Sequence, residues 1–252
     1  MTSLSIKQKA QQYVVLTGMA LFIGLLVGAI DMIFGQGLLL IGDFRSQHWP
    51  LILFLAIAGL VIVYLYKRFG GKASKGMGLI FDVGHAREEK IPLVLVPLIM
   101  LTTWMSHLFG GSVGREGVAV QIGATLSHRF ARHIKIPDAS RIFLMTGMAA
   151  GFAGLFQTPL AATFFALEVL TVGELQLMAL YPALIASIVA SFTSHALGLE
   201  KFAVPLRETL SWTPETLIKV ALLGLAFGLA GKLFAVRLSW LKKTVAKVLP
   251  NP

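Results

Sequence analysis

Arg115 and Glu116 stand side by side between two apolar segments, in the stretch F-G-G-S-V-G-R-E-G-V-A-V-Q-I-G-A-T from Phe109 to Thr125. Each charge costs roughly 2.5–3.5 kcal/mol at the centre of a membrane helix, so neither is expected to face lipid. Gly110, Gly111, Gly114 and Gly117 let the backbone turn and approach other groups closely. The apolar run resumes at Val118-Ala119-Val120 and continues to Phe130. That order reads as helix, break, new helix. The second helix then begins inside the membrane, with its free N–H groups facing a cavity. Such an end attracts anions, and broken helices at membrane depth are tolerated only where they line a cavity or a pathway. A carboxylate at Glu116 would compete with an anion for the same donors. The plainer alternatives are that Glu116 caps the helix or pairs with Arg115.

The elements that must position this pair are set by an apolar composition. Of 252 residues, 56% are hydrophobic and 13% charged, with a mean hydropathy of +0.78. A soluble domain carries about 25% charged residues, so the chain is read as an all-α integral membrane protein. The net charge of +10 is explained by basic loops on one side of a membrane, and nucleic-acid binding is not expected. There is no cysteine, which excludes disulfides and thiolate metal sites. His107, His128, His133 and His195 show no metal-ligand spacing with carboxylates. Neither a metal nor a cofactor is expected. His128 and His133, set among basic residues, are read as solvated loop positions. No Walker motif is present, and the chain is not read as an enzyme.

Tyr13 to Phe34 is the first expected span, of roughly 20 residues, with the N-terminus in the cytoplasm. Gly24 and Gly28 give it a small-xxx-small face, and Asp31 is expected near the interface. Gly35 to Trp49 is expected to be a loop. Pro50 to Tyr66 returns inward and ends at Lys67, Arg68, Lys72 and Lys75, which mark the cytoplasmic side. Gly76 to Val83 is too short to span and reads as a re-entrant half-helix. Ile91 to Phe109 is a span, and the helix from Val118 runs back to the basic positions Arg129, Arg132, Lys135 and Arg141. Ile142 to Phe156 follows. Pro159 then starts a helix where a missing N–H costs nothing. Tyr181 to Leu197 and Pro214 to Leu241 are the last spans, on either side of a loop with balanced charge. The protein is expected in the cell membrane, multi-pass, surrounded by lipid.

Gly114-Arg115-Glu116-Gly117-Val118 closely resembles the G-R-E-G-P signature of the CLC chloride channels and proton-coupled anion transporters. Residues 147–161, G-M-A-A-G-F-A-G-L-F-Q-T-P-L-A, look like that family's G-A-A-A-G-L-x-x-x-F-N-A-P-L-A run. Gly76-Met77-Gly78-Leu79-Ile80, more weakly, stands in place of its G-S-G-I-P. The resemblance implies a CLC-type bundle of tilted and broken helices, one of the family's two inverted-topology halves, with residues 1–252 as the N-terminal repeat and the second half absent. It also implies an anion path between helix N-termini and a homodimer joined through the 159–197 helices. Glu116 would be the gating glutamate and proton carrier. Gly76, Met77, Gly78, Gly114, Arg115, Gly117 and Val118 would be the anion-binding positions. With half of the coordination shell missing, the chain is either part of a longer protein or must meet a second chain.

Two departures bear on the ion carried. Met77 replaces the family's chloride-coordinating serine and has no hydroxyl donor, and Val118 replaces its proline. Both changes look like the fluoride/proton antiporter branch. Met77 has packing as its alternative role. Where many proton-coupled chloride members carry an internal glutamate, Val169 stands, with Glu168 one place before; Glu168 is read as a structural contact or, alternatively, a proton relay. Fluoride/proton antiport is therefore the first expectation. A passive or proton-coupled chloride channel or transporter of the same family, and a truncated fragment that does not transport, remain as alternatives.

Overall fold

The computed structural model describes residues 6–171, 173–200 and 211–248, and every regular element among them is helical. The order is α1 (Ile6–Gln47), a 3₁₀ turn at Trp49–Phe54, α2 (Leu55–Leu65), a wide turn and a second 3₁₀ turn to Lys75, α3 (Met77–Gly84), α4 (Leu95–Leu108), α5 (Glu116–Ala131), α6 (Ala139–Phe156), α7 (Pro159–Glu168), α8 (Leu180–Ala196) and α9 (Pro214–Val248). Five stretches are long and apolar enough to cross a membrane: Ala10–Gln47, Trp49–Gly84, Ala139–Phe156, Leu177–Ala196 and Pro214–Val245. The second is interrupted at Gly71 and Gly76, both with positive φ, so α3 stands as a separate short helix. At 14 and 10 residues, α4 and α7 fall short of the roughly 20 needed to span alone.

Residues up to Phe202 form one compact unit and residues from Ala203 a second. In the first, α6 is the central post: α5, α8, α1 and α7 all pack on it. Fourteen of its 18 residues are buried, which is why its sequence shows no polar face. Its crossing with α5 is the tightest in the fold. A β-carbon placed on Gly123 would collide with the Gly147 carbonyl oxygen, and one on Gly151 with the Ala119 carbonyl oxygen. Helices approach this closely only where small residues let backbone meet backbone, the means by which membrane helices associate without a hydrophobic driving force between them. The Ser127 hydroxyl donates to the Phe143 carbonyl across the same seam.

Two expectations fail on α1. The segment from Gly35 to Trp49 is helical as far as Gln47 rather than a loop. Gly35 and Gly37 are contact points within it. The Trp104 ring lies against Gly37, and its indole N–H donates to the Phe34 carbonyl at 3.1 Å. Tertiary contact has overridden local propensity. Because the helix does not stop at Phe34, Asp31 lies in its interior and is fully buried against Gly154 of α6, not at an interface. Neither of its carboxyl oxygens has a hydrogen-bond partner among the described residues. His128 is also misjudged from sequence: it is buried in α5, with Nε2 donating to the Glu89 carbonyl at 3.1 Å and Nδ1 accepting from Ser140 Oγ at 3.2 Å.

The half-helix expected at Gly76–Val83 and the helix begun by Pro159 are both present. Of the loop between α8 and α9, the charged residues Lys201, Arg207 and Glu208 lie outside the described residues. Among the described residues, the regular element of the second unit is α9, 35 residues long, with Glu215 in its first turn and Lys247 in its last. That order complements its dipole.

Gly151→Val should force α5 and α6 apart and cost on the order of 1–3 kcal/mol, the usual penalty for overpacking. Gly59→Ala on α2, where a β-carbon meets nothing within 4 Å, should leave the protein as stable as before. Thermal unfolding in detergent, followed by size-exclusion chromatography, measures both; equal loss in the two variants would contradict the close crossing.

Candidate functional site: two open helix ends around Glu116

The break between α4 and α5 is made by a specific turn. Gly110 has φ of 79°. Its N–H bonds the His107 carbonyl at 3.1 Å, and the Gly111 N–H bonds the Ser106 carbonyl at 2.7 Å. These are the two bonds of a Schellman motif, which closes the carbonyl end of a helix and needs a left-handed residue after its cap. The pair of glycines at 110–111 is therefore the reason α4 ends there.

The start of α5 is left open. Its first intrahelical bond is Ala119 N–H to the Arg115 carbonyl at 3.2 Å. The N–H groups of Glu116, Gly117 and Val118 have no acceptor among the described residues, and Arg115, the N-cap, makes no side-chain capping bond. A helix start with three free amides is electropositive and suits an anion. Glu116 is the first residue of the helix, and its carboxylate folds back over Gly114. A β-carbon on Gly114 would meet Oε2 at 2.7 Å. The carboxylate has neither a hydrogen bond nor an ion pair among the described residues. The Arg115 guanidinium turns instead onto the Phe156 ring at 5.3 Å, a cation–π contact. Capping and Arg115 pairing, the two plain roles open to Glu116, are both unfilled.

Glu116 faces an open cleft of about 230 Å³ lined by Leu38, Leu39, His107, Val113, Gly114, Arg115 and Glu116. Leu38 and Leu39 come from the part of α1 that the sequence reads as loop. Of the other expected anion-binding positions on α5, Val118 is buried and Gly117 exposed, and neither lines the cleft.

The second open helix end is α3. Gly76, with φ of 54°, is its N-cap. Leu79 N–H bonds the Gly76 carbonyl at 3.1 Å, whereas the Met77 and Gly78 amides have no acceptor among the described residues. The Met77 side chain packs partly buried against the core. Gln121 connects the two ends. Its Nε2 donates to the Gly117 carbonyl at 2.9 Å, and its buried Oε1, without a partner, lies 3.5 Å from where a β-carbon on Gly76 would sit. Sequence reasoning passed over Gln121 and His107. The available signal for Gln121 was an amide one helical turn after Gly117 in an otherwise apolar run. For His107 it was a histidine three residues before the glycine pair. Glu168 lies exposed at the end of α7, without a hydrogen bond or ion pair among the described residues. No group of three or more His, Cys, Asp or Glu suited to a metal occurs among the described residues.

A profile described as "Voltage gated chloride channel" matches residues 57–252. The chain belongs to the CLC family. Its similarity to a chloride/fluoride channel protein of Pseudomonas syringae pv. tomato is 36% identity over 214 residues, 84% of this chain and 47% of that protein. It is 30% identical over 162 residues to the voltage-gated ClC-type chloride channel ClcB of Salmonella typhimurium, covering 64% of this chain and 35% of that protein. Among solved structures, a CLC-type fluoride/proton antiporter superposes with a TM-score of 0.89 at 45% identity, over 99% of this chain and 62% of that one. A cyanobacterial chloride/proton antiporter, at 23% identity and a TM-score of 0.69, shares the fold over 87% of this chain and 55% of that one. The chain thus spans about half the length of the curated relatives it matches.

A surface clamp holds α3 in place. Lys72 Nζ lies 2.6 Å from Glu88, and Lys75 Nζ lies 3.1 Å from Asp82 and 3.4 Å from Glu88. The hydrogen bond from Lys72 holds the Glu88 carboxyl below its usual range. A carboxyl lowered in the folded state stabilises it above the unfolded pKa, and that contribution is lost as pH falls through the folded value. Amide protection over residues 81–84, corrected for intrinsic exchange, should therefore fall as pH drops below about 4. Glu88→Gln should remove the pH dependence; the same profile in both proteins would rule the clamp out.

Proposed function

We propose that this chain forms one half of an anion pathway and that its first activity is fluoride/proton antiport, with Glu116 as both gate and proton carrier. The observation that carries the reading is the start of α5: three unbonded amides with an unpaired carboxylate beside them in an open cleft. An ionised Glu116 competes with an anion for those donors. Once protonated it is a weak competitor, and the anion takes its place. Displacement couples one proton to the movement of anion. Gly114, Arg115, Gly117 and Val118 frame this site. Gly76, Met77 and Gly78 frame a second one at α3.

Similarity to a fluoride/proton antiporter structure and to a chloride/fluoride channel protein supports fluoride as the ion. The absence of a hydroxyl on Met77 agrees with it, because a chloride site at that end would lack a side-chain donor. Chloride is the second reading, favoured by the likeness to the Salmonella chloride channel. The cytoplasmic placement of the N-terminus rests on the basic segments at 67–75 and 129–141. Residues 1–252 are read as a single transmembrane repeat. A homodimer through α7 and α8 is supported by apolar side chains exposed along them, such as Leu160, Phe164, Ile188 and Phe192. Lipid also covers such faces, and cross-linking of a Phe192→Cys variant tells the two apart.

Liposomes fitted with pH and fluoride electrodes test the coupling. Glu116→Ala should abolish proton movement while anion flux continues. Proton coupling that survives the substitution would remove Glu116 from the mechanism. Efflux of chloride equal to or faster than fluoride from the same vesicles would replace the first reading with the second.

A further inference from the structure

The cleft that holds Glu116 contains another ionisable side chain, for which the antiport reading gives no role. His107 lies in the last turn of α4, half-buried, and lines the same cavity as Arg115 and Glu116. Its Nδ1 is 2.9 Å from the carbonyl oxygen of Thr103. A carbonyl oxygen only accepts, so Nδ1 carries the hydrogen in this bond. In the neutral ring, Nε2 is then the nitrogen with the free lone pair. Nε2 has no partner among the described residues. The ring is held by the helix that carries it, one turn below the Schellman glycines, and Thr103 itself is buried.

The charged groups around the cleft are few. Arg115 and Glu116 line it from the α5 side. From α1 the wall is Leu38 and Leu39, and Arg45 lies further along, its Nε 3.3 Å from the β-carbon position of Gly110. The preceding turn and α2 approach the break with Ile52 and Leu55, both apolar. Guanidinium groups do not give up their protons. Glu116 and His107 are therefore the groups lining the cleft that can take up and release one.

We infer that His107 is the proton-exchange residue of this cleft, passing protons between bulk water and the Glu116 carboxylate. The inference rests on the reading of Glu116 as the proton carrier. In the inward step the Nε2–H bond of the imidazolium breaks and an O–H bond forms on Glu116. The ring is left neutral, with its Nδ1–H still on Thr103. It recovers a proton from hydronium in the cleft water, and the reverse sequence returns the proton outward. No other bond changes. An imidazole suits this exchange because its ordinary range straddles neutrality, so it both accepts and releases protons there. A carboxylate in water is ordinarily protonated only under much more acid conditions.

The test is an NMR pH titration of protein labelled with ¹⁵N-histidine, in lipid nanodiscs, with the His107 signal assigned from its loss in H107N. The neutral limb should show hydrogen on Nδ1. A neutral ring protonated on Nε2 overturns the inference. For the transfer itself, H107N keeps an amide donor for the Thr103 carbonyl while removing the titrating nitrogen. It should erase the step near neutral pH from the profile of proton flux, and imidazole added to the buffer should restore that step. A profile that superimposes on the parent's overturns the inference as well. Failure of the Glu116 reading registers separately, as proton coupling that survives Glu116→Ala, and does not move the NMR observable.

Discussion

A backbone amide or carbonyl inside a membrane has no water to turn to, and the arrangement around Glu116 follows from that constraint. At residue 108 one helix ends and eight residues later another begins. The first end is closed by its turn: Gly110 and Gly111 return their N–H groups to the His107 and Ser106 carbonyls of α4. The second end is not closed. Neither Arg115 nor Glu116 folds over the first amides of α5. The asymmetry gives the cleft its character, because the donors that remain have the polarity an anion requires.

The same asymmetry recurs at α3, where Gly76 turns the chain and leaves two amides unbonded. Gln121 stands between the two starts, holding the Gly117 carbonyl with one end of its amide and presenting the other toward Gly76. Each open start is steadied from outside the cleft. The Arg115 guanidinium is drawn off onto Phe156, which keeps it from neutralising the neighbouring carboxylate. Lys72 and Lys75 grip Glu88 and Asp82 and fix α3 against the loop that follows it.

Much of this was legible in the sequence because charge and glycine are conspicuous in an apolar chain. The helix–break–helix around G-G-S-V-G-R-E-G, the short helix after Gly76 and the proline-started α7 all follow from residues with one dominant local effect. What was not legible depended on partners distant in sequence. The segment from Gly35 to Trp49 looks like a loop until Leu199 is laid beside Gly35 and Trp104 beside Gly37. Asp31 looks like a span end until α1 is seen to run on to Gln47. His128 reads as solvated because its neighbours Arg129 and Arg132 are basic, yet it faces the other way, onto Glu89 and Ser140. The wall formed by Leu38 and Leu39, and the placement of His107 within the cleft, depend on the same long helix. Local pattern carries no information about which distant surface a helix meets.

The bare crossing of α5 over α6 has a mechanical consequence. Gly123, Gly147 and Gly151 bring main chain against main chain with no side chain between to repack, so the joint has no slack with which to slide or tilt. Torsion of the few side-chain bonds of Glu116 requires no movement of that joint. Rotamer changes of exposed side chains take picoseconds to nanoseconds, whereas helix displacements take microseconds or longer. A part that moves this way adds almost no delay of its own, and the pace of the whole is left to steps elsewhere.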